Sequence, residues 1–234
     1  MNEFSSAIGA ALSMVATLDA DLIEIVLLSL QISLSAVAIA SIIALPLGAL
    51  IALQNFPGRR AVVILLNALM GLPPVVVGLM VYLLLSRAGP LGSMGLLFTP
   101  TAMVIAQSII VLPIIAALSR QTIADLHEEY DEHLRSLGCS SMQRAAPLLW
   151  AGRVRLLTAI LAGFGRAIAE VGAVIIVGGN ILHSTRVMTT TIALETSKGN
   201  LSLALGLGVV LVTLALGVNA AALVISDAAR RRYG

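Results

Sequence analysis

The chain has 234 residues, of which 59% are hydrophobic and 11% are charged, with a formal net charge of +2 and a mean hydropathy of +1.02. Soluble domains carry about 25% charged residues, so this composition excludes a soluble globular protein and indicates a bilayer protein. The single cysteine excludes an internal disulfide and a cysteine-based metal site.

The chain begins with an acidic segment, residues 1–21. It contains Glu3, Asp19 and Asp21 but neither Lys nor Arg, whereas a secretory signal peptide begins with basic residues. We expect this segment to be extracytoplasmic, with residues 4–18 forming either an interfacial helix or a tail.

Long runs without charged residues predict about five membrane-spanning helices. Each run exceeds the roughly 20 apolar residues that cross a hydrocarbon core, and membrane strands would be shorter and would alternate in polarity. The predicted fold is therefore an all-α polytopic membrane protein. Its transmembrane domain covers residues 22–227, with spans at about 24–53, 61–86, 99–119, 156–178 and 202–226. Pro73 and Pro74 permit a kink in the second span.

The basic residues fall mostly on one side of the predicted bundle. With the amino terminus outside, the cytoplasmic side receives Arg59, Arg60, the five arginines of residues 120–155 and the basic tail at 228–234. Cytoplasmic segments carry an excess of Lys and Arg. We therefore predict an outside amino terminus, a cytoplasmic carboxyl terminus and an extracytoplasmic segment at residues 179–200, which we call the outer segment.

A polar insert at residues 121–155 holds five of the twelve acidic residues. Acidic residues early in the insert and Arg135 later complement the dipole of a helix that starts near Ile123. Gly138 fits a left-handed helix cap, and Ser140 with Gln143 fits a capping box for a second helix. An apolar underside is predicted from Leu134, Leu137, Met142 and Leu148. We call this helix-turn-helix the docking knob (residues 121–155).

The docking knob resembles the cytoplasmic motif of type I ABC importer permeases, which reads Glu-Ala-Ala, three residues, Gly, nine residues and Ile-x-Leu-Pro. Glu132 and Gly138 match the glutamate and the glycine, whereas His133, Leu134 and Ala151 replace the two alanines and the proline. The resemblance implies a type I importer fold and docking to a separate ATP-binding subunit through a helix at about residues 140–146. The implied coupling residues are Glu132, Gly138, Ser140, Ser141, Met142, Gln143 and Arg144.

A second resemblance concerns GFGRAIAEVGAVIIVGGN at residues 163–180 and TRVMTTTIALETSKGN at residues 185–200. These stretches are similar to tungstate permeases, relatives of the molybdate and sulfate permeases. The resemblance implies an ATP-driven importer of an oxyanion, tungstate or alternatively molybdate or sulfate, in the inner membrane of a prokaryote. The implied partners are two ATP-binding subunits that hold ATP and Mg²⁺, an extracytoplasmic substrate-binding protein and a second copy of this chain.

Two sets of residues are candidates for the pathway and its gate. Arg166 and Glu170, spaced i, i+4 on the predicted fourth span, either attract a dianion or form a self-neutralising pair that orients the helix, and we favour the pair. The outer segment supplies amide and hydroxyl groups suited to an oxyanion. The candidate gate residues there are Asn180, Thr189, Thr190 and Thr191, and a solvated loop without substrate contact is the alternative.

The sequence lacks the GxxxxGK[ST] loop that binds nucleotide phosphates, so energy must come from a partner. We expect a translocating subunit rather than an enzyme, with no catalytic residue, no bound cofactor and no nucleic-acid partner. His127, His133 and His183 show no ligand spacing among themselves, so we expect no metal site. The alternative function, an ATP-independent secondary transporter or channel, predicts a buried coupling residue or an inverted repeat.

Overall fold

The computed structural model describes residues 20–136, 138 and 140–233, and the regular structure in this range is entirely helical, as expected. A 3₁₀ turn at Gly92–Met94 follows the third α-helix. The predictions for residues 1–19, Leu137, Cys139 and Gly234 lie outside the described residues. The α-helices are α1 (Ala20–Leu53), α2 (Arg59–Leu69), α3 (Pro74–Leu85), α4 (Pro100–Ser136), α5 (Ser141–Ala151), α6 (Arg153–Ile168), α7 (Gly172–Gly178), α8 (Met188–Ser197) and α9 (Leu201–Tyr233).

Among the described residues, three helices are long and apolar enough to cross a membrane: α1, α4 and α9. The number rises to five if each of two bent helix pairs counts as one span. The first pair is α2 with α3, bent by 99°, and the second is α5 with α6, bent by 78°. The expectation of about five spans therefore agrees with the upper value.

The second span, predicted at 61–86 with a kink at Pro73 and Pro74, consists of two helices. Helix α2 ends at Leu69 and α3 starts at Pro74. Proline has no amide hydrogen and disfavours helix at the residue before it, so two successive prolines end one helix, and Pro74 then takes the first position of the next. The sequence indicated a kink at this point, and the structure has a complete break.

Helix α4 corrects the predicted boundary at residue 119. The helix runs without interruption from Pro100 to Ser136, so the third span and the first helix of the docking knob are one element. No glycine lies between Pro100 and Ser136, and Pro113 stays inside the helix. Helix α9 likewise continues to Tyr233, through residues predicted to form a tail.

The described chain divides into two compact units. The first contains the chain up to Ser35 with Pro74–Gln107 and Ile168–Ala221, and the second contains Ala36–Pro73, Ser108–Ala167 and the chain from Ala222. Helices α1, α4 and α9 contribute residues to both units. In the first unit, α3 and α7 pack so closely that a methyl group on Gly78 would lie 2.7 Å from Cα of Ala173.

In the second unit, α1 and α4 also pack backbone against backbone. A methyl group on Gly48 would lie 2.6 Å from the carbonyl oxygen of Ala116 and 2.8 Å from the amide nitrogen of Arg120. The hydroxyl of Ser119 donates to the carbonyl oxygen of Leu45 at 3.1 Å. Small residues permit such close approach, which drives helix association in a bilayer through dispersion contacts.

This packing predicts the effect of enlarging Gly48. Gly48→Ala should destabilise the protein by about 1–3 kcal/mol, because backbone atoms of α4 cannot move aside as a flexible side chain would. The matched control is Gly165→Ala on α6, where nothing lies within 4 Å of the added methyl group. Thermal unfolding in detergent should show a lower melting temperature for Gly48→Ala alone. Equal melting temperatures for the two variants would contradict the packing argument.

Candidate functional site

The turn of the docking knob has the geometry that its sequence predicts. Gly138 has φ +69°, in the left-handed region that glycine adopts at no steric cost. The side-chain oxygen of Gln143 accepts hydrogen bonds from the amide and the hydroxyl of Ser140, both at 2.9 Å. This is the glutamine half of a capping box. Helix α5 starts at Ser141 and reaches Ala151, so it is longer than the predicted 140–146, and Pro147 lies inside it.

An ion pair joins the two helices of the knob. Arg144 on α5 lies 3.1 Å from the carboxylate of Asp131 on α4, and the two side chains are 13% and 26% exposed. His127, one turn earlier on α4, lies 3.9 Å from the same carboxylate. Arg144, predicted as a coupling residue, therefore positions α5 against α4. Ion pairs at this exposure contribute at most about 1 kcal/mol to stability. The main effect of this pair is therefore to fix the position of α5 on α4.

The underside of the knob packs into an apolar cluster of the second unit. Leu148 is 2% exposed and contacts a group of buried residues, with Leu134 and Leu149 packed against them as well. The predicted roles of Leu134 and Leu148 are confirmed, whereas Leu137 and the side chains of Ser141 and Met142 lie outside the described residues. The buried members of the cluster are Ala49, Ala52, Leu53, Ile123, Leu126, Leu148 and Leu156.

The opposite face of the knob is open to solvent. Glu132, Ser140 and Gln143 are exposed. Trp150 is 71% exposed, and the guanidinium carbon of Arg153 lies 4.9 Å from its ring centroid. A large aromatic ring at a polar surface is the kind of group that buries area against a partner.

The prediction that Arg166 and Glu170 share one helix is wrong. Helix α6 ends at Ile168 and α7 begins at Gly172, so Glu170 lies in the break between them. Its carboxylate is 3% exposed and accepts a hydrogen bond from the amide of Ala173 at 3.0 Å. The side chain thus satisfies a free N–H at the start of α7. This capping explains why the chain breaks here without a proline.

Three consecutive threonines of the outer segment are buried, with exposures of 7% for Thr189, 1% for Thr190 and 2% for Thr191. The hydroxyl of Thr189 donates to the backbone oxygen of Glu170 at 2.8 Å. That of Thr190 donates to the side-chain oxygen of Asn180 at 2.9 Å. That of Thr191 donates to the backbone oxygen of Val187 at 2.7 Å. The structure brings these predicted residues together, and their hydroxyls bond to the chain itself.

Asn180 and Thr185 shape the loop before α8. Asn180 has φ +51°, a conformation that asparagine tolerates better than most residues. The hydroxyl of Thr185 donates to the carbonyl oxygen of Gly178 at 2.5 Å and accepts from the amide of Ile181 at 3.0 Å. Ser29 of α1 accepts a hydrogen bond from the amide of Met188 at 2.8 Å. Sequence reasoning missed Ser29, because serine is common in membrane helices and nothing distinguishes this one.

Glu195 on α8 is a second group that sequence reasoning missed. The residue is 7% exposed, and its carboxylate accepts hydrogen bonds from Lys198 at 2.9 Å and from Asn200 at 3.0 Å. These bonds hold the pKa of the Glu195 carboxyl below its usual range. Arg186 and Thr191 join it in lining a cavity of about 150 Å³. The i, i+3 spacing of Glu195 and Lys198 was the available signal.

Residues 44–233 match the family described as binding-protein-dependent transport system inner membrane component. This chain belongs to that family. The permease is thus a multi-pass inner-membrane protein and a translocating subunit, with ATP hydrolysis assigned to a separate subunit in this class.

Three relatives show where the permease lies in the family. A probable anion ABC transporter permease protein of Haloferax volcanii is 41% identical over 85% of this chain and 88% of its own length. The tungstate uptake system permease protein TupB of Peptoclostridium acidaminophilum is 39% identical over 90% of this chain and 92% of its own. The sulfate transport system permease protein CysW of Escherichia coli K12 is 29% identical over 71% and 60%.

The Glu195 network predicts a pH-dependent stability. Because folding lowers the pKa of this carboxyl, its contribution is complete above the ordinary value of 4.5 and is lost as the pH falls through the lower folded value. Glu195→Gln should therefore melt below the wild type at about pH 7, and the difference should narrow toward about pH 4. Thermal unfolding in detergent measures this difference, and Lys198→Met should reproduce its direction. A difference that stays constant with pH would contradict the assignment.

Proposed function

We propose that this permease imports an oxyanion, tungstate, across the inner membrane with energy from ATP. The observation that carries the proposal is the similarity to two tungstate uptake system permease proteins, 39% and 36% identical over 90% and 70% of this chain. The Haloferax relative is described as an anion permease. Family membership argues against an ATP-independent transporter or channel. Molybdate and sulfate are the competing substrates, because sulfate permeases also match this chain.

The proposed assembly contains two copies of the permease, two ATP-binding subunits and one extracytoplasmic binding protein. A symmetric homodimer is the natural closure for a bundle with three to five spans among the described residues. The ATP-binding subunits contact the exposed face of the docking knob, and the binding protein contacts the outer segment. The excess of basic residues beside the knob supports its cytoplasmic placement.

The knob is suited to transmit force because its parts are fixed to each other. The cap at Gly138, the Ser140–Gln143 hydrogen bonds and the Arg144–Asp131 ion pair hold α5 against the end of α4. When ATP closes the two partner subunits, they draw the knobs together, and α4 carries that displacement into the membrane. ATP hydrolysis then returns the translocation pathway to its inward-facing form.

The gate residues act by holding the outer segment in shape. Hydrogen bonds within the chain hold Asn180, Thr189, Thr190 and Thr191 in place. A passing anion therefore meets an opening of fixed shape rather than a tight binding site. A weak site suits transport, because an anion that binds tightly in the path leaves it slowly.

Reconstitution tests the substrate. The permease is placed in liposomes with its candidate ATP-binding subunit, and the candidate binding protein is added with tungstate, molybdate, sulfate or no anion. We expect ATP hydrolysis to rise most with tungstate, because two tungstate uptake permeases are similar to this chain over most of its length. A larger rise with sulfate or molybdate would reassign the substrate, and no association with any ATPase would reject the proposed function.

The knob is tested through the backbone of Gly138. A Cβ at this position meets nothing within 4 Å, so a substitution acts through φ alone. Gly138→Val should raise the cost of the left-handed conformation by about 1–2 kcal/mol and uncouple ATP hydrolysis from transport. Gly138→Asn is the matched control, because asparagine visits this region readily, and it should retain most coupling. Equal transport by the two variants, at equal amounts of inserted protein, would contradict the role of the knob.

A further inference from the structure

Three side chains with metal-binding groups converge at the start of α1. Asp21 and Glu24 lie one turn apart on this helix, and His183 lies on the loop between α7 and α8. One ligand atom from each residue lies within 4.8 Å of the other two. The Nδ1 atom of His183 is 2.8 Å from a carboxylate oxygen of Glu24. Residues separated by 159 positions in the chain thus form one cluster. The expectation of no metal site rested on the spacing of the three histidines, and this cluster instead joins one histidine to two carboxylates.

We propose that Asp21, Glu24 and His183 bind a divalent transition-metal ion, with Zn²⁺ as the ion the site fits best. One imidazole nitrogen and two carboxylate oxygens are a ligand set that Zn²⁺ takes with water in the fourth position. Ligand atoms about 2.1 Å from a tetrahedral ion lie about 3.4 Å apart. The observed separations therefore need small side-chain rotations only, and the side chains of His183 and Glu24, 58% and 45% exposed, have room to make them.

Charge and backbone both favour an ion at this place. Two carboxylates and a neutral imidazole balance the charge of Zn²⁺, and imidazole favours Zn²⁺ over Mg²⁺ or Ca²⁺. The loop that carries His183 is held at Thr185, whose hydroxyl bonds Gly178 and Ile181. The ligands on α1 lie on a regular helix. The ion would thus join two fixed elements of the first unit, and it would brace the loop that contains Asn180.

The hydrogen bond to Glu24 raises the pKa of His183, with the charge of Glu24 adding to the effect. The proposal rests on the positions of the three side chains. The site does not depend on which anion the permease carries.

The test is Zn²⁺ binding to the full-length permease, purified in detergent and freed of metal with a chelator. Isothermal titration with Zn²⁺ alone should give one ion per chain. His183→Asn should weaken binding at least about tenfold. Asparagine is chosen because His183 has φ +58° and asparagine tolerates this conformation. The double variant Asp21→Asn with Glu24→Gln should weaken binding to a similar extent.

The matched control is His133→Asn, which alters an exposed histidine of the docking knob and should leave the Zn²⁺ affinity unchanged. A second readout is the visible absorption of Co²⁺ added in place of Zn²⁺, which should be intense in the wild type and in His133→Asn and lost in His183→Asn. The proposal is overturned if Zn²⁺ does not bind, if His183→Asn binds as the wild type does, or if His133→Asn weakens binding equally.

Discussion

The structure depends most on the continuity of α4. Its 37 residues extend about 55 Å, far beyond the roughly 30 Å hydrocarbon core. One end carries the acidic face of the docking knob, and the other belongs to the first unit with α3 and α7. In the proposed mechanism, a displacement of the docking knob travels along this one unbroken helix. Pro113 is the one internal proline of α4, and it marks the point where the helix bends most easily.

A bilayer requires every backbone polar group to find a partner inside the protein. The backbone groups left free where a helix is interrupted therefore need other hydrogen-bond partners. At the end of α1, the guanidinium of Arg59 donates to the carbonyl oxygens of Ile51 and Ala52 at 2.9 and 2.7 Å. At the break between α6 and α7, the carboxylate of Glu170 accepts from the amide of Ala173. The polar residues that sequence reasoning reads as transport groups are, in large part, the partners that make irregular backbone possible at these positions.

Apolar length and local capping signals predicted the helical class, the knob and its Gly138 turn, because those features arise within a few neighbouring residues. The break at Glu170 depends on a side chain that bonds forward to Ala173, and the same i, i+4 spacing fits an unbroken helix equally well. The buried threonines posed the same difficulty, since a hydroxyl that binds its own backbone has the sequence of one that faces a substrate. The run of uncharged residues at 61–86 also indicated one span, because hydropathy does not show where a chain changes direction.

These occupied hydroxyls bear on where substrate selectivity resides. Tungstate, molybdate and sulfate are tetrahedral dianions that differ chiefly in size, so a pathway that told them apart would need free donors at fixed distances. The four outer-segment residues predicted as a gate instead form hydrogen bonds to Glu170, to Val187 and to one another. Under the proposed function, a pathway whose donors are already hydrogen-bonded within the protein discriminates poorly among these anions and releases them quickly. The proposal therefore assigns discrimination to the step before entry, in which a binding protein encloses one anion and delivers it.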